Sequence, residues 1–323
     1  MKTIPELTLR PARVEDAEAI TAIHCSTMQT WIDPVTRQPT PYEALDLYGR
    51  WRNGGPWMSV ETCAAHLATL LSDGHLPLIA ELDGKAIGEA EYLLAREAGP
   101  FASLHLSILY VHAAYQGRGV GQALVAAGSA EARAHGLPAL TTQPEDAAVE
   151  SFYAHLGFAP WHIGKEMQLS TRGGVPPTGL QSLCSQNRPA DSLALRIGRY
   201  QCGVQAWEVL WPRLPLPEWQ KLRRRVWAVE LEGIPAVLGL CEQLTDPTQA
   251  DGYAWLPPEA PLTPAVAALQ GLGAAEGFIA VDLLLPEPEL PGLKKIFRLD
   301  YQARVALWRK ELRTTQGSPP RRG

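Results

Sequence analysis

Apolar positions along the first half of the chain switch repeatedly between helical spacing and the two-residue alternation of strands. Leu7 to Ala12 reads as a short strand, and Ala17, Ile20, Ile23 and Cys25 then recur at helical spacing. Residues 30–58 break both periods and are rich in Trp, Pro and Tyr. Ser59 and Thr62 are residues that cap helix starts, and they open a helix running through Leu71. Leu78 to Leu94 predicts a hairpin, because Asp83-Gly84 is a strong signal for a tight turn between strands. A strand over 104–111, a helix over 120–135, a strand over 138–142, a helix over 145–155 and a strand over about 161–169 complete a mixed α/β order.

Residues 171–192, with Gly-Gly, Pro-Pro and Ser, read as a linker. Beyond it the pattern repeats. Ile79 to Gly84 is echoed by Ala228 to Gly233, residues 264–273 have the spacing of the later helix, and Phe278 to Leu285 that of the next strand. The segment 157–169 finds a counterpart of equal length in 300–312.

A chain of 323 residues holds two domains at the usual size of about 100–200 residues each. Hydrophobic content of 46% and charge of 20% fit a globular protein with a core. The net charge of −5 gives no general reason to expect a nucleic acid or anionic membrane partner. Five cysteines (25, 63, 184, 202 and 241) are scattered, odd in number and never Cys-x-x-Cys, which argues against a disulfide framework or zinc site. The spacings His105/His112 and His155/His162 carry no local metal signature, so no metal is expected. No apolar signal core or membrane-length stretch is present, and a cytoplasmic setting is expected.

Chemistry concentrates in Val111 to Gly121, where a hydrophobic strand enters a glycine-rich turn that opens a helix. Glycines 117, 119 and 121 remove side chains where the backbone must approach something closely. The first amides of the following helix point outward on the positive end of its dipole, which suits a phosphate group. A dinucleotide-binding turn would lie in the first βα unit with an acid about 20 residues on; here the turn follows a fourth strand. Glu89 and Glu91 have the same parity on the third strand, and His105 and Ser107 share a face of the fourth by the same count. Any of these could take a proton directly or through water.

Gln116-Gly-Arg-Gly119-Val-Gly121 resembles the pyrophosphate turn of the GNAT superfamily of acyl-CoA-dependent N-acyltransferases. Asp146 to Phe158 is similar to that family's later segment, with Asp146 where Asn is usual and His155 where Lys is common. The resemblance spans roughly residues 5–170. It implies a GNAT fold, an α/β mixed sheet, in which the strand before the turn splays from its neighbour. It also implies that Gln116, Gly117, Arg118, Gly119, Val120 and Gly121 hold the pyrophosphate of acetyl-CoA. Leu109, Tyr110 and Val111 would line the pantetheine arm, with the Val111 amide on the thioester oxygen, and Asp146, Phe152 and Tyr153 would complete the coenzyme's surroundings. Tyr153 would protonate the departing thiolate. The base would be Glu89, Glu91, His105 or water with no dedicated side chain, and Trp31, Asp33, Tyr42, Tyr48, Trp51 and Trp57, in the place of the family's acceptor loops, could wall the acceptor.

In the repeat, Pro257 to Pro264 stands where the glycine turn should be, and prolines remove backbone donors. The expectation is therefore a catalytic GNAT domain over 1–170, a linker over 171–192, a degenerate GNAT-like domain over 193–315 and a disordered tail over 316–323. The activity expected is acetyl transfer from acetyl-CoA to a primary amine of a small molecule or peptide, by direct attack in a ternary complex, by a monomer or homodimer. Two alternatives stand beside it: an acyl-CoA-binding regulator without turnover, and a tandem enzyme similar to mycothiol synthase with its acceptor between the domains.

Overall fold

A computed structural model describes residues 7–198, 202–214 and 216–312; the expected tail over 316–323 lies outside the described residues. In chain order the first half forms β1 (Thr8–Pro11), α1 (Ala17–Cys25), α2 (Leu47–Trp51), α3 (Val60–Ser72), β2 (Leu76–Leu82), β3 (Lys85–Ala95) and β4 (Ser103–Val111). It continues through α4 (Val120–Ala134), β5 (Ala139–Thr142), α5 (Ala147–His155) and β6 (Ala159–Ser170). The remainder forms β7 (Gln181–Ser182), β8 (Ala194–Ile197), α6 (Gly203–Leu210), α7 (Pro217–Gln220), β9 (Arg224–Leu231), β10 (Ile234–Glu242) and β11 (Gln249–Leu256). Helix α8 (Thr263–Ala275), β12 (Ala280–Pro286), α9 (Leu290–Leu293) and β13 (Leu299–Glu311) close it.

Local chemistry explains the boundaries. The Ser59 hydroxyl accepts the Thr62 amide and starts α3. Asp83 and Gly84 both adopt positive φ (51° and 74°), as do Glu232 and Gly233 (53° and 82°). The two hairpins thus share one turn conformation, whose twist matches the strands. The segment expected as a linker contributes one edge strand, Gln181 and Ser182 pairing with Ala228 and Trp227.

All the strands join one sheet, ordered β1-β2-β3-β4-β5-β13-β6-β12-β11-β10-β9-β7, with β8 added on β11. Each half has one parallel pair, β4 with β5 and β11 with β12. The centre holds an exchange: β13 crosses to pair with β5, while β6 pairs with β12, and β6 and β13 lie antiparallel against each other. Side chains follow the backbone. Ala306, Trp308 and Leu312 complete the core built on Tyr92, Leu124 and Leu140, whereas Met167 and Leu169 pack among Leu272, Val281 and Leu283. A smaller core, Ala17, Ile20, Cys63, Leu67 and Ile79, holds α1 and α3 to the first half's sheet.

The exchange makes each half's core depend on the other's last strand. Trp308→Ala should therefore destabilise the whole chain, by about 3–5 kcal/mol as for other buried Trp truncations, within one cooperative denaturant transition. Two transitions of which only the second moves would contradict it.

Candidate active site

The site begins where two strands part. Strand β4 pairs with β5 only from Leu104 to Leu106, opposite Leu140 to Thr142. Residues 107–111 keep β3 on one edge, from Ile108 opposite Glu91 to Val111 opposite Gly88, and no described strand pairs with their other edge. The cause is a bulge: the register shifts between Glu91 and Tyr92, leaving Ser107 as an extra residue that bends β4. The Ser107 hydroxyl donates to the Glu91 carbonyl at 3.2 Å. The His112 amide donates to the Ile87 carbonyl. By strand alternation Tyr110 and Ile108 also turn their backbone groups to β3, while Leu109 and Val111 direct theirs to the open edge.

That edge runs into the glycine turn. Gly117 and Gly119 adopt φ of 72° and 88°, a conformation that disfavours any side chain, and a Cβ at either position would find no atom within 4 Å. The turn is thus both left-handed and open on its outer side. Gly119 caps α4 with no side-chain bond from a described residue, and the first bond back into the helix comes from the Ala123 amide. The Val120 and Gly121 amides accordingly head a fifteen-residue helix on its positive end. Gln116 Nε2 donates to the Val111 carbonyl at 3.1 Å and ties turn to strand. Arg118 lies over the Tyr115 ring at 5.2 Å. A Cβ at Gly121 would touch Phe152 at 3.4 Å, so α4 and α5 meet closely there.

Asp146 caps α5, its carboxylate accepting the Ala148 and Val149 amides at 2.8 and 2.9 Å. Tyr153, buried on the same helix, meets Phe152 and Phe158 edge-on. The neighbouring Thr142 hydroxyl donates to the Leu106 carbonyl at 3.0 Å. Thr142 and Leu106 form the last pair before β4 and β5 part, so the phenol stands at the apex of the split. Burial raises the Tyr153 pKa, and Thr142 partly offsets that.

On the opposite face, beneath α1 and α3, Glu89 and Glu91 lie side by side, both buried. His24 Nε2 is hydrogen-bonded to Glu89, and its ring stacks between Trp57 at 5.2 Å and Tyr110 at 4.0 Å. Glu91 accepts from Trp57 Nε1 at 2.7 Å and from His66 Nε2 at 3.0 Å. Burial and the Glu91 charge push Glu89 well above the carboxylate range, and burial pulls His24 down to about 4, so the proton of that pair rests on Glu89. Burial also acts on Glu91, but the His66 charge and hydrogen bonds outweigh it and hold Glu91 low. His66 is correspondingly raised: burial opposes its charge, and Glu91 outweighs that. His105 stands apart, bonded to Thr141 at 3.0 Å with Gln205 of α6 nearby, and burial lowers it to about 4.

Of the expected acceptor residues, Trp31 and Tyr42 pack on each other at 4.9 Å with Arg50 over Tyr42, whereas Trp51 reaches Trp219 of α7 at 5.3 Å. His24 and His66 were not among the expected site residues. His24 lies one turn after Ile20 and His66 one turn after Cys63's neighbour Thr62, polar residues on or beside the buried faces of α1 and α3, and that placement was the available signal.

The second half repeats the split and closes it. Strand β11 pairs with β12 only over Gln249–Asp251 opposite Ala280–Asp282. Beyond that point the chain's own β8 lies on β11, Ile197 opposite Ala254 and Ala194 opposite Leu256. Arg196 of β8 donates to the carbonyls of Pro257, Pro258 and Ala260, so this turn offers acceptors to a cation where the first offers amides. Glu97 of the first half fixes the plug, accepting the Leu195 and Gly203 amides at 2.7 and 2.9 Å.

A family model described as Acetyltransferase (GNAT) domain matches residues 73–160. A search of curated proteins finds no match. Among solved structures, a putative acetyltransferase from Pyrococcus horikoshii is 13% identical over 96% of this chain and 91% of that one, with a TM-score of 0.50. A GCN5-related N-acetyltransferase from Anabaena variabilis is 11% identical over 95% of this chain and 73% of that one, with a TM-score of 0.55. These two likenesses show the fold, and over both halves. A GCN5-related N-acetyltransferase from Rhodopseudomonas palustris is 30% identical over 51% of this chain and 89% of that one, with a TM-score of 0.35.

The two imidazoles should titrate on opposite sides of the ordinary value of 6.5: His24 near 4, His66 above 6.5. Stability from neutral His24 is then present above pH 6.5 and lost as pH falls toward 4. Stability from charged His66 is present below 6.5 and lost as pH rises through its higher native value. Side-chain NMR titration checks both, and two coincident curves near 6.5 would contradict the assignment.

Proposed function

Because the chain belongs to the GNAT acetyltransferases, we propose that it is an N-acetyltransferase that moves an acetyl group from acetyl-CoA to a primary amine of a small molecule or peptide, by direct attack in a ternary complex. The observation that carries this reading is the open edge of β4, Leu109 and Val111, running directly into the left-handed turn at Gly117 and Gly119.

The pantetheine arm would add to β4 as a further strand, pairing with the backbone of Leu109 and Val111 beside Tyr110. The pyrophosphate would sit on the amides from Gln116 to Gly121. A Val111 amide aimed at the thioester oxygen would stabilise the oxyanion by about 3–4 kcal/mol, the scale of one such donor elsewhere. Tyr153 would give its proton to the thiolate as the C–S bond breaks. Of the candidate bases, Glu89 already holds a proton and His105 is engaged by Thr141, which leaves Glu91, paired with His66, as the carboxylate that supports proton removal. Asp146 acts by starting the helix that carries Phe152 and Tyr153.

In this reading the first half, residues 1–170, performs the chemistry and residues 193–315 form the degenerate half. The β8 plug supports a single coenzyme site. A regulator without turnover would have no use for a phenol at the apex of the split, which favours the enzyme. Five unpaired cysteines support a cytoplasmic setting, and no helix of the described residues is long and apolar enough to cross a membrane.

Isothermal titration of acetyl-CoA into wild type and a folded Gly119→Trp variant tests the cradle. Binding in the first and none in the second is expected; no binding to folded wild type would overturn the reading. Tyr153→Phe should slow turnover about 10²-fold, the lower end for a lost general acid, while acetyl-CoA binding is kept.

A further inference from the structure

Between α3 of the first half and α6 and α7 of the second lies a cavity of about 200 Å³. An apolar cavity of about 150 Å³ already admits benzene, so this one has room for a single ring with a short side chain. Its walls are Trp51, Trp57 and Trp219, with His66, Thr69, Gln205, Glu208 and Arg213 as polar lining groups, the Arg213 guanidinium being paired with Asp73 and Glu208. Trp51 meets Trp219 edge-on at 5.3 Å, and Trp57 meets His66 edge-on at 5.3 Å. We propose that this cavity seats the acceptor, a primary amine carried on one flat apolar ring, and that His66, held by Glu91, takes the proton from its ammonium. The proposal rests on the acetyl-transfer reading and names the substrate class and proton acceptor for the same site.

Access singles out His66. Glu91 is only 1% exposed, and the partner of Glu89, His24, is covered by Trp57 and Tyr110. The His66 side chain keeps 20% of its surface exposed and lines the cavity. Both Glu91 oxygens lie within 3.1 Å of Nε2, which leaves Nδ1 as the nitrogen for an incoming proton. The charged groups facing the imidazole are Glu89 and Glu91 from β3 and Glu208 from α6. Glu208 is already paired with Arg213 at 2.8 Å, so Glu91 is the partner that stabilises the imidazolium. Glu91 lies on β3, the strand that pairs with β4 beside the open edge, three residues along from Gly88, the partner of Val111. Trp57 is fixed in turn, since its Nε1 donates to Glu91.

The steps balance. At a pH above its raised pKa, His66 is neutral with its Nε2–H directed at Glu91, and the ammonium gives one proton to Nδ1, which passes it to solvent. The freed nitrogen lone pair attacks the thioester carbon and a C–N bond forms. The adduct nitrogen then loses a second proton as the C–S bond breaks, and this proton replaces the one Tyr153 delivers to the thiolate. Ammonium and thioester become amide, thiol and one released proton.

Phenethylamine titrated into the full chain without coenzyme, followed by tryptophan fluorescence, tests the cavity. Saturable binding is expected, about ten-fold weaker in Trp219→Ala, the scale of a lost aromatic contact, and weaker too in Val209→Trp, which fills the space. Absence of saturable binding, or affinity unchanged in both variants, overturns the pocket. With acetyl-CoA present, His66→Gln should lower kcat about 10²-fold and remove the limb in which rate rises with pH, at an acetyl-CoA affinity within about two-fold of wild type. A retained limb overturns the base. Failure of acetyl-CoA to bind wild type would strike the transfer reading instead, and the amine titration would still decide the cavity.

Discussion

Two neighbouring parallel strands that pair for three residues and then part leave a row of backbone donors and acceptors without partners. Such groups, shielded from water, cost as much as a lost hydrogen bond apiece, so a split sheet calls for a third strand. The bulge at Ser107 creates this demand in the first half, where β4 leaves β5 after Leu106. The second half creates it again where β11 leaves β12 after Asp251. There the chain satisfies it internally: β8 lies on β11, and Arg196 gathers the carbonyls of the proline turn. The first half keeps its gap and ends it in amides. One geometric feature thus yields a closed scaffold on one side and, on the other, an open strand edge that runs into a left-handed turn.

The strand exchange makes this division durable. Because β13 completes the sheet that carries the gap, and β6 the sheet that carries the plug, neither half can loosen without pulling the other's core apart. Glu97 adds a second tie, reaching from the β3–β4 connection to the amides of Leu195 and Gly203. Burial raises this carboxyl to about 7, and the two amide bonds act against that rise. Asp73, at the end of α3, binds Arg188 and Arg213 at 2.8 and 2.5 Å across the same boundary. These exposed pairs contribute little energy singly, but they fix α6 against α3, and that fixed distance defines the aromatic cavity.

What the sequence disclosed follows from how far each feature reaches along the chain. The glycine turn, the Asp83-Gly84 hairpin, its echo at Glu232-Gly233 and the Ser59 cap each lie within a few residues, and each formed where expected. The parity of Glu89 and Glu91 was equally legible, since it needs only the two-residue period of β3. The exchange of β6 and β13 was not: both segments read as strands, and periodicity carries no information about which neighbour a strand chooses. The partners of the carboxylates were also hidden, because His24 lies 65 residues from Glu89 and His66 lies 25 from Glu91. Asp146 in place of the usual Asn gains a local reason, two amides accepted at the start of α5. The irregular stretch 30–58 hid α2, whose cap, Asp46 accepting the Gly49 amide, is a single residue amid prolines and aromatics.

The two carboxylates show how one face can hold a charge beside an uncharged acid. Two buried anions on neighbouring positions of one strand would repel strongly in so dry a setting. The chain resolves this by giving Glu89 a partner buried as deeply as itself and Glu91 one that reaches the surface. His24, enclosed by Trp57 and Tyr110, cannot hold a charge, so the proton stays on Glu89. His66, open to the cavity, can, so Glu91 stays ionised. The neutral pair then lowers the repulsion that the ionised one feels. Exposure of the partner imidazole, more than burial of the carboxylate, thus decides which of the two keeps its charge.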